Sequence, residues 1–478
     1  MCWHVDRTSQ NEPTHRLRRA ARNIIIHTRS SDARTGFRNR RGPRPSCNMS
    51  RRKRKLSVPI RGAQSAEWLS SLGPGLVTGA ADDDPSGIAT YSQTGAKFGF
   101  DLLWTVVLTL PLMAAIQVVS ARVGAITRKG LAANLVIAYP RPVIAMAVLL
   151  LLLANIFNIA ADLNAMGVCV RLVVGGPAVV YVVVLGIASL LVQLFAQYRQ
   201  TVRVLKWLTL SLFAYAAALF TIHVPWARVV SSVAVPHLHG SKEYFTMIVA
   251  IFGTTISPYM FFWQAAHEVE KSKDEGKLSR VKKPAQARKT YERINLDTWV
   301  GMALSNLIAF CIMVTTAVVL HDHGQTEIQT TQQAAEALKP IAGNLAFILF
   351  SLGIIGTGLL ALPVLAGSAA FGISDTFGWR SGLDRMPLEA GAFYSVIGVA
   401  MLLGIALCIY GLDPIKGLFL SAVINGIVAV PIMALLMATA QRPDVMGKFP
   451  VRGLLRWVGW MATGAMSIVV VAMFAMMI

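Results

Sequence analysis

Long apolar runs separated by short polar connections make up the chain from about residue 67 onward. A transmembrane helix needs about 20 predominantly apolar residues to cross a hydrocarbon core about 30 Å thick. Runs of this kind predict eleven such helices, which we call spans one to eleven. They lie near residues 67–98, 102–126, 143–170, 177–198, 203–223, 244–266, 298–320, 344–372, 392–411, 415–438 and 454–478.

Span one is interrupted at its centre by three consecutive carboxylates, Asp82, Asp83 and Asp84, followed by Pro85 and Gly87. A carboxylate at the centre of a bilayer costs about 2.5–3.5 kcal/mol on the insertion scale, so three in a row indicate an ion site. Proline removes a backbone donor and disfavours helix at the residue before it. We therefore expect this helix to break over residues 84–87.

A second interruption, Thr-Thr-Ile-Ser-Pro-Tyr at residues 254–259, falls at the centre of span six. Spans one to five and six to ten superimpose as two halves, residues 67–225 and 240–440, and residues 454–478 add an eleventh helix. Paired broken helices in two inverted repeats indicate a transporter's binding site, because unwound carbonyls and half-helix ends face a cavity there. We predict an all-α polytopic membrane protein with a 5+5 inverted repeat.

The composition supports a membrane protein: 54% of residues are hydrophobic, 14% are charged, and the mean hydropathy is +0.55. The net charge of +21 arises mainly in residues 1–66, which hold 17 Lys and Arg against three acidic residues. We therefore expect no nucleic-acid partner, and a disordered basic tail. Met49 opens a plausible natural start, so two interpretations of residues 1–48 stay open: a true tail or a misassigned start codon.

The loop charges predict the orientation of the chain. Of the 28 Lys and Arg after residue 66, 22 lie in loops on the side of the N-terminus and six on the other side. Cytoplasmic loops carry the excess of Lys and Arg, so the N-terminus should be cytoplasmic. We expect a multi-pass protein of the plasma membrane, or bacterial inner membrane, with the lipid bilayer as its surroundings. The sequence specifies no oligomeric state.

Motifs in spans one, two and six resemble the Nramp (natural resistance-associated macrophage protein) family of divalent metal transporters. They are GPG at 73–75, Asp-Pro at 84–85, the GAKFG-DLLW run ending at Trp104, Ile116-Gln117 with SARVG at 120–124, and GTTISPYM in span six. In spacing the resemblance extends over roughly residues 70–470. It implies a leucine-transporter-like fold with broken helices one and six, and import of Mn²⁺, Fe²⁺ or Mg²⁺ by alternating access.

Three positions depart from the family pattern. Gly87 replaces the asparagine of the Asp-Pro-Gly-Asn motif, Ser257 replaces a methionine before the proline of span six, and Tyr259 replaces a histidine after it. A thioether helps a site favour transition metals over Mg²⁺ and Ca²⁺, so its loss removes a filter against hard cations. Asp82 and Asp83 stand where the family usually has uncharged residues, which makes the predicted site harder and more acidic.

The resemblance implies Asp84 as a direct metal ligand, with Asp83 or Asp82 acting directly or through water, as Mg²⁺ would require. Any of these carboxylates could instead cap a half-helix or pair with a buried base. Span six would supply the backbone carbonyl of Thr254 or Thr255 and the hydroxyl of Ser257. The predicted metal-site set is Asp82, Asp83, Asp84, Gly87, Thr254, Thr255, Ser257 and Asn425, the last being equally compatible with an interhelical hydrogen bond.

Proton coupling in the family uses carboxylates and basic groups, and this chain retains only part of that set. Asp162 matches an aspartate of the third span, but the glutamate that follows it in the family has no counterpart, and the family's histidine is Tyr259. A phenol with an ordinary pKa near 10 is a poor proton shuttle at neutral pH. We predict weak or absent proton coupling, with Asp162 and Tyr259 as candidate coupling or gating residues.

Two other function classes stay open. A sodium-coupled symporter of organic solutes or amino acids would share the broken-helix plan, but Asp82, Asp83 and Asp84 would repel a substrate carboxylate. A non-transporting metal sensor or scaffold would use the basic tail or the loop at 267–297 as its partner surface. No nucleophile with a base and no phosphate-binding loop lies outside the spans, so we expect neither an enzyme nor a resident cofactor.

Overall fold

The computed structural model describes residue 79 and residues 82–195, 212–274, 276, 280–383, 385–411 and 413–477. Within these ranges the secondary structure is helical and contains no strand. The basic tail, the first part of span one (residues 67–78) and the first part of span five (residues 203–211) lie outside the described residues. The interpretations given above for those segments stay predictions.

Nine helices in the described ranges are long and apolar enough to cross a membrane, when the two halves of span six are taken as one. They coincide with predicted spans two, three, four and six to eleven. Their bounds are Leu103–Thr127, Arg141–Val174, Ala178–Phe195, Lys242–Thr255 with Pro258–Asp274, Pro284–Val319, Ala346–Phe377, Gly391–Ile409, Pro414–Ala440 and Leu454–Ala475.

Shorter helices complete the described structure. Span one contributes the half-helix Pro85–Phe98, and span five contributes the described segment Phe213–Ala218. The others lie in the connections between spans: Leu131–Ala138, Trp226–Ala234, Thr331–Glu336, Lys339–Ala342, Pro443–Met446 and the 3₁₀ turns His321–His323 and Gly343–Leu345.

The break in span one lies slightly earlier than the sequence predicted. Asp82 is helical, Asp83 and Asp84 are not, and the half-helix starts at Pro85. Proline is well suited to the first helical position, because its missing N–H would have no intrahelical partner there and its φ is already helical. Pro85 therefore begins the half-helix, with Ser86 and Gly87 in its first turn, and the non-helical link is Asp83–Asp84.

The break in span six is two residues long. The first half-helix ends at Thr255 and the second begins at Pro258, with Ile256 and Ser257 between them. The last carbonyls of a helix have no intrahelical partner. Here the Ser257 hydroxyl donates to the carbonyl oxygens of Gly253 and Thr254, both at 2.8 Å. The serine thus stabilises the end of the half-helix that the following proline helps to terminate.

Small residues bring the broken helices close to their neighbours. The span-one half-helix packs against spans seven and ten, and the first half-helix of span six packs against span ten. A Cβ added at Gly253 would overlap the backbone oxygen of Ala422 and the backbone nitrogen of Gly426. Close backbone approach of this kind is typical of membrane helix interfaces. It holds the span-six break at a fixed distance from span ten.

Candidate metal site at the two helix breaks

Asp84 is the point at which three spans converge. It is 1% exposed and lies at the N-cap of the span-one half-helix. Its Oδ1 accepts hydrogen bonds from the Gly87 amide at 2.8 Å and the Ser86 hydroxyl at 2.7 Å. Its Oδ2 accepts from Asn158 Nδ2 of span three at 3.2 Å and from the Tyr259 hydroxyl of span six at 3.1 Å. Four neutral donors and a helix N-terminus therefore stabilise one buried carboxylate.

The two broken helices approach each other next to their breaks, at Gly87 and Thr254. A Cβ added at Gly87 would lie 3.0 Å from Thr254 Oγ1 and 3.5 Å from Asp84 Oδ1. Thr254 Oγ1 is buried and has no hydrogen-bond partner among the described residues. The glycine that replaces the family's asparagine thus leaves room for a span-six threonine beside the carboxylate.

Asp82 and Asp83 face a different neighbour. The Ser305 hydroxyl of span seven lies 2.7 Å from Asp82 Oδ2 and 3.0 Å from Asp83 Oδ1. Both carboxylates are buried, and Asp82 Oδ1 has no partner among the described residues. The acidic triplet is therefore divided between two sets of neighbours, since Asp84 contacts spans three and six.

None of these carboxylates forms an ion pair with a basic side chain in the described part of the chain. The contrast with Glu268 is direct, because Glu268 is also 1% exposed but forms a bidentate ion pair with Arg293. Burying a charge without a partner costs several kcal/mol. The acidic triplet consequently has an unmet requirement for positive charge that Glu268 does not have.

Most of the candidate ligand oxygens of Thr254, Thr255 and Ser257 in span six already form hydrogen bonds within that span. Ser257 Oγ uses its hydrogen on the two carbonyls at the helix end, which leaves its lone pairs as acceptors. The Thr255 hydroxyl donates to the Ile251 carbonyl at 2.8 Å within its own helix. The Thr254 carbonyl accepts from Ser257, and its hydroxyl remains unpartnered across the described residues. Thr254 is therefore the span-six residue with the freest side-chain oxygen beside Asp84.

Asn425 and Asp162 are both fully buried with no hydrogen bond to their side-chain polar atoms within the described ranges. Asn425 lies next to Gly426 on span ten, against which the first half-helix of span six packs. Asp162 lies on span three within electrostatic reach of Asp84 and Tyr259. The hydrogen bonds of the described structure join neither residue to the other predicted ligands.

Asn158 and Ser305 donate to the carboxylates of the site but were not among the predicted site residues. Asn158 lies one helical turn before Asp162, and side chains four residues apart share a helix face. Ser305 and Asn306 form a polar pair inside the apolar run of span seven. These local patterns could have marked both residues as pore-facing, although neither pattern names the partner.

The arrangement suits an oxygen-coordinated cation. Carboxylate, hydroxyl, amide and backbone oxygens surround the breaks, whereas no group of three or more His, Cys, Asp or Glu side chains with metal-binding geometry occurs in the described residues. Mg²⁺ is typically held by one or two carboxylates while it keeps several waters. A closed all-side-chain cage is therefore not what this site provides.

Comparisons with known proteins agree with the fold. A sequence profile described as natural resistance-associated macrophage protein-like matches residues 75–476. The divalent metal cation transporter MntH of Klebsiella pneumoniae subsp. pneumoniae is 26% identical over 401 residues, covering 82% of this chain and 90% of that protein. The MntH of Pectobacterium carotovorum subsp. carotovorum is 25% identical over 388 residues, covering 79% and 87%.

Solved structures show the same fold. A crystal structure of a manganese transporter from Eremococcus coleocola, in complex with an aromatic bis-isothiourea substituted compound, has a TM-score of 0.67. Its sequence is 15% identical, and the match covers 88% of this chain and 89% of that one. The predicted leucine-transporter-like fold with broken helices is confirmed, and so is the resemblance drawn from the motifs of spans one, two and six.

Proposed function

The chain belongs to the natural resistance-associated macrophage protein-like family, and from that membership we propose that it imports a divalent metal cation by alternating access. The protein is a multi-pass integral membrane protein. In this proposal it acts as a carrier and not as an enzyme, it needs no resident cofactor, and it lies in the plasma or bacterial inner membrane with its N-terminus in the cytoplasm.

The observation that carries the proposal is the set of buried carboxylates without basic partners. Asp82, Asp83, Asp84 and Asp162 are each no more than 3% exposed, and none pairs with Lys, Arg or His in the described chain. In low dielectric such groups stay ionised only beside a compensating cation and are otherwise neutralised by a proton. A metal ion that enters between the breaks supplies two positive charges at the position where they are missing.

We assign the direct ligand role to Asp84, with oxygen atoms of Thr254, Thr255 and Ser257 on the opposite side of the ion. Asp82 and Asp83 contribute negative charge directly or through water, Gly87 provides space, and Asn425 offers an amide oxygen from span ten. Every one of these donors is an oxygen. Because hard oxygen ligands suit Mg²⁺ and Mn²⁺ and no sulfur favours softer metals, we place Mg²⁺ within the substrate range of this carrier.

The membrane potential is a sufficient driving force for such a carrier. Each charge that moves inward across 100 mV gains about 2.3 kcal/mol, so a dication gains about twice that amount. Tyr259 donates a hydrogen bond to Asp84 at the position of the family's histidine, and a phenol exchanges its proton poorly at neutral pH. We therefore propose uptake without strict proton coupling, in which Asp162 and Tyr259 orient Asp84 or gate the cavity.

The alternatives receive less support from the geometry. A sodium-coupled symporter for amino acids would place a substrate carboxylate at the half-helix N-termini, where Asp84 already occupies the N-cap of span one. The comparisons do not favour that alternative. A sensor or scaffold would bind the metal without moving it, so a flux measurement distinguishes it from a carrier.

The test is metal accumulation in proteoliposomes with an inside-negative potential. Purified protein is offered Mg²⁺, Mn²⁺, Fe²⁺ and Ca²⁺ in competition while the internal pH is monitored. We expect accumulation of Mg²⁺ or Mn²⁺ with little proton influx, and loss of at least about tenfold in rate for Asp84→Asn, since that change removes a charged ligand.

Asp322→Asn is the matched control, because Asp322 is an exposed aspartate just beyond span seven and undergoes the same chemical change. Its uptake should equal that of the wild type. Undiminished uptake by Asp84→Asn at equal reconstitution would remove the proposed metal site. Proton influx that follows the metal gradient would overturn the prediction of weak coupling.

A further inference from the structure

The geometry points to a second dication station formed by Asp82, Asp83, Ser305 and Tyr91, on the span-seven side of the break and separate from the station at Asp84. This inference rests on the proposed function, because the ion it would hold is the transported metal. It assigns the acidic triplet to two successive resting positions of one ion in place of a single three-carboxylate site.

Asp82 and Asp83 have one hydrogen-bond donor between them among the described residues, the Ser305 hydroxyl. The Ser305 hydroxyl has one hydrogen and lies within hydrogen-bond distance of both Asp82 Oδ2 and Asp83 Oδ1. A single hydrogen shared between two carboxylates cannot satisfy both of them fully. Two adjacent buried carboxylates therefore share one donor, whereas Asp84 alone has four.

The second step is an independent group that points to a ligand. Tyr91 is 1% exposed, and its hydroxyl has no hydrogen-bond partner among the described residues. Tyr91 lies on the half-helix that follows the triplet and packs against span seven, and long side chains on a helix point back toward its N-terminus, here toward the triplet. Asp82 Oδ1 is also buried and unpartnered. A buried phenol on the half-helix and a buried carboxylate oxygen at the Ser305 bridge therefore both lack partners among the described residues.

The third step is the charge balance. Asp82 and Asp83 together carry two negative charges, which one dication neutralises. A partly hydrated Mg²⁺ or Mn²⁺ would use one oxygen from each carboxylate directly, and its waters would donate to the remaining lone pairs. In this inference the Ser305 oxygen and the Tyr91 hydroxyl contact that ion or its waters. We take Ser305 as a positioning residue for the two carboxylates.

The two stations should hold the ion alternately. Asp84 is oriented by Asn158 of span three and Tyr259 of span six, while Asp82 and Asp83 are oriented by Ser305 of span seven. Asp83 and Asp84 are adjacent residues, so two dications held at the two stations at once would lie close together in a low dielectric and repel each other strongly. One ion per chain should therefore pass between the two stations.

Direct binding of Mn²⁺ to purified full-length protein, measured by equilibrium dialysis, tests this inference. The wild type should bind one Mn²⁺ per chain. Asp84→Asn should lower flux by at least about tenfold but still bind one Mn²⁺, about tenfold more weakly, because the second station remains. Adding Asp82→Asn and Asp83→Asn to that variant should weaken Mn²⁺ binding by a further factor of about 100.

Two further variants in the Asp84→Asn background test the positioning role. Ser305→Ala should weaken Mn²⁺ binding about tenfold, and Ser305→Thr, which keeps the hydroxyl, should restore it. Tyr91→Phe should weaken binding by a similar factor without changing the thermal midpoint. A Ser305→Ala protein that loses thermal stability but keeps its Mn²⁺ affinity would show that Ser305 is only structural and would overturn this role.

The outcomes separate this inference from the proposed function. Absence of flux by the wild type refutes the carrier, whatever the binding data show. Wild-type flux together with complete loss of Mn²⁺ binding in Asp84→Asn refutes the second station and leaves the carrier in place. Equal binding by Asp84→Asn and by the triple asparagine variant also refutes the second station.

Discussion

The two broken helices approach each other at Gly87 and Thr254, but their polar groups find hydrogen-bond partners in different ways. The break in span one carries three carboxylates and depends on donors from spans three, six and seven. The break in span six carries no charge and satisfies its own carbonyls through Ser257. One break therefore has buried carboxylates without basic partners among the described residues, and the other carries no charge that needs a partner.

The two breaks also differ in what holds them in place. The span-six break is fixed by backbone contact with span ten at Gly253 and Gly426, which leaves no space for even a methyl group. Span one also makes a close backbone contact before its break, between Gly79 and Gly301, but its carboxylates are held by hydrogen bonds, which an incoming ion would replace in the proposed mechanism. We therefore expect substitutions at the Gly253 contact of span six to affect folding, and substitutions beside Asp84 in span one to affect transport.

Gly253→Ala should have the largest effect. The new Cβ would overlap the Ala422 carbonyl oxygen and the Gly426 amide nitrogen, and backbone atoms in packed helices cannot move aside cheaply. We expect a destabilisation of about 3 kcal/mol or more, at the upper end of overpacking costs. The measurement is the yield of monodisperse protein and its thermal midpoint in detergent.

Gly464→Ala in span eleven is the matched control, since a Cβ there would meet no atom within 4 Å. Its yield and midpoint should equal or exceed those of the wild type, because alanine favours helix over glycine. A Gly253→Ala protein with normal stability would show that the span-six break is not fixed by this contact, and the contrast between the two breaks would fail.

Gly87→Ala should have an intermediate effect confined to transport. Its Cβ would lie 3.0 Å from Thr254 Oγ1, a close contact that a rotation of the threonine side chain can relieve. The methyl group would still occupy the space between the breaks. We expect an uptake rate lower by about tenfold, as for a group placed at the edge of a metal site. Radiotracer uptake and the thermal midpoint are measured together.

The double variant Gly87→Ala with Thr254→Ala should recover part of the uptake, because the second change removes the crowded side chain. Gly398→Ala in span nine serves as the control, since a Cβ there also meets nothing within 4 Å. If Gly87→Ala transports normally, the space beside Thr254 is not part of the ion path.

Hydropathy and proline made the larger part of the architecture predictable. Each span is defined by its own residues, because an apolar run must satisfy its backbone as a helix in lipid. Each break is likewise encoded locally, by Pro85 and Pro258. The first break was predicted over residues 84–87, slightly too late in the chain. Pro85 occupies the first helical position and starts the half-helix there, so the break precedes it.

The partners of the carboxylates could not be predicted in the same way. Asn158 and Ser305 lie 74 and 222 or more residues from the carboxylates to which they donate. Their contacts depend on how three spans pack, which no local pattern specifies. For the same reason the triplet Asp82–Asp84 was expected at one ion, and its division between two sets of neighbours emerged only from the three-dimensional structure.

Ser257→Cys should have the smallest effect on rate, and it changes selectivity. The thiol is larger than the hydroxyl but occupies the same branch point, and it is a soft ligand, so it should favour Cd²⁺ over Mg²⁺. We expect the ratio of Cd²⁺ to Mg²⁺ uptake to rise about tenfold, with total Mg²⁺ flux changed by less than about threefold. Ser467→Cys is the control, because Ser467 also donates to a carbonyl of its own helix, that of Thr463, but lies on span eleven. An unchanged ratio in Ser257→Cys would mean that span six contributes only the shape of the site, and that its ligands come from other spans.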